Sequence, residues 1–293
     1  MTLMDICTIS IHFLYFFLRP IFALIFLRKR PKIPPIKNQL LLDSATTLAK
    51  KIKSGEVSSQ TIVEAYIERI KEVNPFINVV VDDRFVEAVN DAKICDAKLK
   101  SGEVTAIMLE NEKPLFGIPF TVKESCSVAG KKRECNKTPC ISYLVFSRRQ
   151  EGALLGAGAS ILGIGSDMMG SIRIPSFFNG VFGHKPTPGI IPNNGHIPDY
   201  SQFSMFVQGP LARYAEDLIL AVKVMSVDCD VPLHLDKPLD VKNLRIFYVE
   251  NIKSFCGIRS TTSDVRQSIR KALRYLSGNG ARVEHVIIKL TKN

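Results

Sequence analysis

The sequence predicts an α/β fold in which a mainly parallel or mixed sheet is covered by helices. The chain has 293 residues, enough to bury a substantial core in one large domain or two smaller ones. Amphipathic segments with helical period alternate with short apolar runs typical of buried strands. The composition is that of a globular protein, with 46% hydrophobic and 23% charged residues. No internal repeat or low-complexity tract is visible.

The spacing of apolar residues predicts each element. A helix is expected from Ser59 to Val73, because apolar residues recur on one face and the preceding serines are suitable N-caps. An apolar run after Pro114 predicts a buried strand that ends just before Lys123. The predicted elements are helices over 59–73, 83–99, 151–160 and 265–276, and strands over 115–122, 161–165, 244–249 and 283–290.

The N-terminal segment predicts a membrane anchor. Met1 to Leu27 has the length and apolar character of a span, but Arg19 and Pro20 interrupt it. A kinked span and an interfacial hairpin both fit this pattern. The basic run 28–32 follows the apolar residues and predicts that the rest of the chain is cytoplasmic. We expect an N-terminal anchoring helix over 1–30, a proline-rich linker over 31–44 and a folded domain over 45–293.

The charge indicates which macromolecular partner is expected, and the cysteines indicate whether a metal site or disulfides are expected. The chain has 39 basic and 28 acidic residues, a net charge of +11. The basic residues are dispersed and no nucleic-acid-binding motif accompanies them, so a membrane surface is favoured over nucleic acid. The seven cysteines are irregularly spaced without a C-x-x-C pair, which argues against a zinc ribbon or a disulfide framework. Cys126, Cys135 and Cys140 could form a metal site with His184, but their spacing matches no metal-binding motif, so we expect no metal.

The segment 163–175 has the composition of a nucleophile turn. Small residues crowd around Ser171 directly after an apolar run, so the chain can turn sharply and present the hydroxyl beside backbone N–H groups. The segment does not match the G-x-S-x-G elbow of α/β-hydrolases. The predicted oxyanion donors are the backbone N–H groups of Met168, Met169, Gly170 and Ser171.

Four blocks in the same order, 114–124, 151–160, 163–175 and 183–187, resemble the amidase signature family, and within it the fatty-acid amide hydrolases. The resemblance implies an amidase-signature fold and cleavage of amide bonds through an acyl-enzyme. It identifies Ser171 as the nucleophile, Ser147 as a bridging serine and Lys123 as the base. Burial would favour the neutral amine of such a lysine, and no metal or cofactor is implied.

The chain also departs from the family pattern. Met169 stands where the family has glycine, and Arg148 replaces a second serine beside Ser147. Lys123 lies only 24 residues before Ser147, so a helix–strand unit of the family is expected to be missing there, and the family domain continues beyond Asn293. These departures raise an alternative to the active enzyme, namely a weak or inactive membrane-associated fragment from a splice form, a pseudoenzyme or an incomplete gene model.

The resemblance also implies partners and a location. The expected partners are a fatty-acid amide or another lipid amide and a membrane, but not nucleic acid, and a homodimer is left open. The expected location is an internal membrane such as the endoplasmic reticulum, with the catalytic part on the cytoplasmic side.

Overall fold

The computed structural model describes residues 13–14, 16–22, 24, 32–126, 143–147, 151–197, 199–200, 202–226, 229, 231–251 and 260–286. The chain divides into two compact units. One unit is Pro31–Leu235, and the other comprises Asp236–Asn293 together with Met1–Arg30. The predicted domain boundaries at residues 30 and 44 stay a prediction.

Helices dominate the first part of Pro31–Leu235. Helix α2 (Ser59–Ile77) begins at Ser59, as predicted, because the Ser58 side chain accepts a hydrogen bond from the Thr61 backbone N–H. It runs four residues past the predicted end and stops where Asn78 adopts a left-handed conformation at φ 49°. The helices are α1 (Ala45–Ser54), α2 (Ser59–Ile77), α3 (Phe85–Lys100) and α4 (Ala106–Asn111), preceded by a 3₁₀ turn over Gln39–Leu42.

The predicted apolar face of α2 is confirmed, since all of its predicted members are buried. They pack into the main core of the unit, which also receives residues from α1, α3 and the central strands. Tyr66 lies at the middle of this face and is fully buried. The members of the face are Ile62, Val63, Tyr66, Ile67, Ile70 and Val73.

A six-stranded sheet crosses the unit in the order β1-β3-β2-β4-β6-β5. The pairs β2–β3 and β2–β4 are parallel, whereas β1–β3, β4–β6 and β5–β6 are antiparallel. The strands are β1 (Val80–Asp83), β2 (Phe120–Lys123), β3 (Tyr143–Ser147), β4 (Leu162–Asp167), β5 (Phe182–Gly183) and β6 (Val207–Ala212).

The sheet is therefore mixed rather than mainly parallel. No helix lies in the described part of the connection from β5 to β6, and a connection without a crossover helix suits antiparallel neighbours. Strand β2 is also shorter than the predicted 115–122. The residues before it form a turn in which Gly117 has a φ of +75°, and a side chain there would meet Ser59.

Three further helices cover the sheet of this unit: α5 (Glu151–Gly156), α6 (Arg173–Asn179) and α7 (Ala215–Met225). Helix α5 ends four residues before its predicted end. The second unit contains a 3₁₀ turn (Val241–Asn243), parallel strands β7 (Arg245–Tyr248) and β8 (Arg282–His285), and helix α8 (Ser263–Gly278). These elements confirm the types predicted there, and residues 287–290 of the last predicted strand lie outside the described residues.

The segment predicted to be a linker contacts the folded unit. The carbonyl oxygen of Pro34 accepts a hydrogen bond from the buried Arg69 guanidinium at 2.8 Å, and Leu41 is buried in the core. Residues 34–42 are thus part of the packing of this unit.

The predicted N-terminal anchoring helix falls on residues 1–30. Residues 13–14, 16–22 and 24 are helical, and their large apolar side chains, among them Phe13, Phe16 and Leu24, are exposed. Among the helices that the structure describes, none is both long enough and apolar enough to cross a membrane.

Candidate active site

Three neighbouring parallel strands end at one edge of the sheet. Strand β2 ends at Lys123, β3 at Ser147 and β4 at Asp167, and Ser171 follows four residues after β4. Lys123 and Ser147 are paired in register on adjacent strands. Because parallel strands align their carboxyl ends, the fold brings the backbone positions of the predicted lysine, bridging serine and nucleophile turn to the same edge.

Lys123 lies at the buried end of β2. Its side chain is only 8% exposed, which agrees with the burial predicted from the apolar run before it. Its Nζ atom lies 2.7 Å from the hydroxyl oxygen of Ser166 and 3.2 Å from the Ser166 carbonyl oxygen. The lysine is therefore anchored to β4, one residue before the nucleophile turn begins.

Ser166 and His196 are site residues that the sequence analysis missed. The Nε2 atom of His196 lies 3.0 Å from the Ser166 hydroxyl oxygen, and both residues are buried. The imidazole packs against the ring of Phe206 at a centroid distance of 4.5 Å. Ser166 lies within the segment 163–175, directly before Asp167, and its position in that segment could have identified it. His196 lies 30 residues away in a loop, and no local pattern indicates its position.

Asp167 braces the turn that carries Ser171. One carboxylate oxygen accepts the backbone N–H of Gly170 at 2.7 Å, and the other accepts those of Ile172 at 3.2 Å and Arg173 at 3.3 Å. The Arg173 guanidinium binds both oxygens at 3.0 Å. Burial alone would raise the pKa of Asp167, but these hydrogen bonds outweigh it and lower the pKa to about 2. The carboxylate is therefore charged at neutral pH.

Gly170 is the sharpest point of this turn. Its φ is +117°, and a Cβ atom would lie 2.5 Å from the Ile174 side chain. Met169, where the family resemblance predicts glycine, does not adopt a positive φ, and its side chain is 85% exposed. The backbone therefore accepts methionine at position 169, whereas position 170 requires glycine.

The four predicted oxyanion donors differ in their availability. The Gly170 N–H is already donated to Asp167, which leaves Met168, Met169 and Ser171 as candidate donors in this conformation. Ser171 is exposed at the surface of the turn. No group of three or more potential metal ligands occurs among the described residues, and Cys135 and Cys140 lie outside them.

Comparison with known protein families shows to which family the chain belongs. The amidase family model matches residues 61–137 and 151–293. The chain belongs to the amidase family. The matched ranges contain Lys123 and Ser171, whereas Ser147 lies in the interval between them.

The predicted resemblance to the fatty-acid amide hydrolases is also confirmed, because the chain is similar to several of them. The chain is 37% identical over 275 residues to fatty-acid amide hydrolase 2-B of Danio rerio, covering 75% of this chain and 52% of the relative. It is 33% identical over 321 residues to fatty-acid amide hydrolase 2 of Homo sapiens, covering 91% of this chain and 60% of the relative. The chain thus spans about half to three-fifths of the length of these relatives.

Solved amidase-family structures share the fold. A fatty acid amide hydrolase superposes with a TM-score of 0.71 at 22% identity, over 85% of this chain and 53% of that one. A bacterial aryl acylamidase superposes with a TM-score of 0.68 at 19% identity, over 85% of this chain and 62% of that one. At these identities the likeness establishes the mixed α/β fold.

Proposed function

We propose that this chain is a serine amidohydrolase that cleaves fatty-acid amides, with Ser171 as the nucleophile, Ser147 as the bridging serine and Lys123 as the base. The observation that carries the proposal is the common edge of β2, β3 and β4, where Lys123 and Ser147 are paired in register beside the turn of Ser171. Membership of the amidase family and the relatives' names support the same reaction.

The mechanism begins with transfer of the Ser171 hydroxyl proton through Ser147 to a neutral Lys123 amine. The Ser171 oxygen then forms a bond to the amide carbonyl carbon, and negative charge develops on the carbonyl oxygen. Backbone N–H groups of Met168, Met169 and Ser171 would stabilise that charge. The Lys123 ammonium returns its proton through the relay to the amine that leaves, and the C–N bond breaks. Water then hydrolyses the acyl-enzyme with the same base.

Apolar side chains near Ser171 support a lipid substrate. Ile174 packs against Gly170, the neighbour of Ser171, and is 53% exposed. On the same helix Phe177 and Phe178 are exposed and contact each other edge to face at 5.4 Å. An exposed apolar surface of this kind indicates a binding function, and a long acyl chain would be its ligand here.

We also propose that the N-terminal segment binds the membrane in which such a substrate dissolves. The exposed apolar side chains of residues 13–24 support this proposal, as does the basic run that follows them in the sequence. We propose no role in membrane binding for residues 236–293 or for the expected homodimer.

A weakly active or inactive membrane-associated form is the second candidate. The specific observation in its favour is that the family match is interrupted over residues 138–150. In that interval Arg148 and Arg149 follow Ser147, where the family resemblance predicts small residues. Charge and bulk there would disturb a relay that needs close approach, because small displacements of catalytic groups cost on the order of a hundredfold in rate.

Labelling with a fluorophosphonate probe separates the two candidates. The active enzyme should be labelled in the full chain, and Ser171→Ala should abolish labelling. Ser101→Ala removes another exposed serine, at the end of α3, and should leave labelling unchanged. Equal labelling of the full chain and Ser171→Ala would reject Ser171 as the nucleophile, and absence of labelling would favour the inactive form.

A further inference from the structure

A buried chain of three polar side chains lies at the candidate site. Lys123, Ser166 and His196 are 8%, 2% and 6% exposed. The Ser166 hydroxyl oxygen lies 2.7 Å from Lys123 Nζ and 3.0 Å from His196 Nε2, so both basic groups meet at one hydroxyl. The proposed proton relay from Ser171 through Ser147 does not use His196.

The loop that carries His196 is tied to the end of β2. His196 and Cys126 form an isolated β-bridge, and the Ile197 N–H donates a hydrogen bond to the Ser125 carbonyl at 2.7 Å. These contacts begin two residues after Lys123. Together with the Phe206 ring against the imidazole, they hold Nε2 at a fixed distance from Ser166. The geometry is therefore built into the fold rather than left to a mobile side chain.

The shared hydroxyl couples the two basic groups because it has one proton to donate. When His196 donates its Nε2–H to the Ser166 oxygen, the hydroxyl proton points to Lys123 Nζ. That hydrogen bond needs a lone pair on Nζ, which only the neutral amine has. Chains of buried hydrogen bonds strengthen one another, so a donating His196 favours the neutral form of the lysine.

Other titratable groups surround this chain within the described residues. Cys126 and Glu151 interact electrostatically with one another, and Cys126 also interacts with Lys123. Tyr200 lies beside the His196 ring at 5.6 Å. Burial raises the pKa of the Cys126 thiol to about 12, so the thiol stays neutral through the range in which a lysine base would act. Asp167 is the next residue along β4 and is charged throughout that range.

We propose that His196 is a positioning residue that acts through the Ser166 hydroxyl to favour the neutral amine of Lys123. This inference rests on the proposed function, in which Lys123 must be neutral to accept the proton of Ser171. His196 itself does not touch the reacting atoms, and its effect is on the protonation state of the base.

The test is a titration of Lys123 in the full chain with isotope-labelled lysine, followed by NMR of the side-chain nitrogen. Lys123→Met identifies the signal by its loss. His196→Leu removes the hydrogen bond to Ser166, and His196→Gln retains a polar group near the Nε2 position. His184→Gln is the matched control, because it changes a histidine of the same unit that is not part of the chain of hydrogen bonds.

The titration midpoint of Lys123 should rise by roughly one pH unit in His196→Leu, which is about tenfold less neutral amine at a given pH. His196→Gln should restore much of the difference, and His184→Gln should leave the midpoint unchanged. If His196→Leu does not fold, Ser166→Ala, which removes the mediator, should raise the midpoint in the same direction.

An unchanged midpoint in His196→Leu, or in Ser166→Ala where the former does not fold, would overturn the inference. Equal rises in His196→Leu and His196→Gln would overturn it too, since they would indicate packing rather than hydrogen bonding. Fluorophosphonate labelling of the same samples tests the proposed function separately. If the His196 variants shift the Lys123 midpoint as expected but labelling does not depend on Ser171, the proposed function alone is rejected. If labelling depends on Ser171 but the midpoint does not shift, the role of His196 alone is rejected.

Discussion

Replacing Asp167 by asparagine should show how far the nucleophile turn depends on one carboxylate. Asp167 is fully buried and accepts hydrogen bonds from three backbone N–H groups and from the Arg173 guanidinium. Asparagine keeps one acceptor oxygen and places an NH₂ group where the second oxygen accepts from Ile172 and Arg173. The turn would lose its charge-assisted hydrogen bonds, and the asparagine NH₂ group would face the N–H groups of Ile172 and Arg173.

The expected cost follows from these contacts. Hydrogen bonds to a charged group contribute about 1.5–3 kcal/mol each, and those of Ile172 and Arg173 are long enough to fall at the lower end. The Arg173 side chain is 54% exposed, so its ion pair adds little. We expect Asp167→Asn to lose about 3 kcal/mol of the free energy of unfolding. For a unit of this size that is roughly 6–12 °C in Tm.

The assay combines thermal unfolding with fluorophosphonate labelling at a temperature where the variant is still folded. The rate of labelling of Ser171 should fall by about tenfold or more, because a small displacement of one catalytic group causes a loss of that order. Asp217→Asn is the matched control, because Asp217 is equally buried but caps α1 through the N–H groups of Ala45 and Thr46. It should lower the Tm without slowing labelling. Wild-type labelling in folded Asp167→Asn would refute the bracing role of the carboxylate.

The pH dependence has a definite sign. The pKa of Asp167 is lowered from 3.8 to about 2, so the carboxylate stabilises the fold above pH 4 and loses that effect as the pH falls towards 2. The Tm difference between the wild type and Asp167→Asn should therefore shrink over that acid range.

Three further predictions follow from the same contacts. Gly170→Ala should lower the free energy of unfolding, because alanine is strained at the positive φ of this position and its Cβ would clash with Ile174. Adding Ile174→Ala should recover only the loss that is due to the clash, and unfolding curves of the single and double variants would measure both losses. Lys123→Ala should slow labelling of Ser171 more at neutral pH than at high pH, where hydroxide substitutes for the missing base; a uniform reduction would argue against the lysine as base. Removal of residues 1–30 should release the protein from membranes in a fractionation experiment, and persistent membrane association would place the binding surface elsewhere. The deletion should stop before Pro34, because that carbonyl satisfies the buried Arg69.

The parts of the fold that were predictable from the sequence depend on local patterns. Helix α2 has a strict apolar face and a serine cap, and both specify it without distant contacts. The burial of Lys123 could be expected because the residues before it are continuously apolar and all four positions of β2 are buried. The position of the nucleophile turn could be expected because glycine and serine crowd there.

The remaining features depend on contacts between distant residues. The direction of β6 cannot be inferred from its own apolar run, since buried parallel and antiparallel strands have similar compositions. Gly117 converts part of an apolar run into a turn because its neighbour across space is Ser59, 58 positions away in the sequence. His196 is held at the site by a β-bridge to Cys126, which lies 70 positions earlier in the sequence. No periodicity could have indicated that bridge.

The short connection between Lys123 and Ser147 still allows the two strands to pair. A parallel pair needs a crossover of about a dozen residues, and residues 124–142 supply more than that. In the resulting register Lys123 lies opposite Ser147, so the predicted loss of a helix–strand unit does not by itself separate the proposed base from the proposed bridging serine.

The composition around Ser147 is then the stronger objection to catalysis. Arg148 and Arg149 directly follow Ser147 in the sequence, in an interval that the family model does not match, and the resemblance predicts small residues there. We expect Arg148→Ser combined with Arg149→Gly to raise the rate of hydrolysis of a long-chain fatty-acid amide by roughly tenfold or more. Smaller residues would allow the catalytic groups to approach each other, and displaced catalytic groups cost a factor of that order. Restoring the missing unit alone should raise it less, because the register is already in place. A larger gain from the restored unit than from the double substitution would show that the length of the connection, not the arginines, limits the reaction.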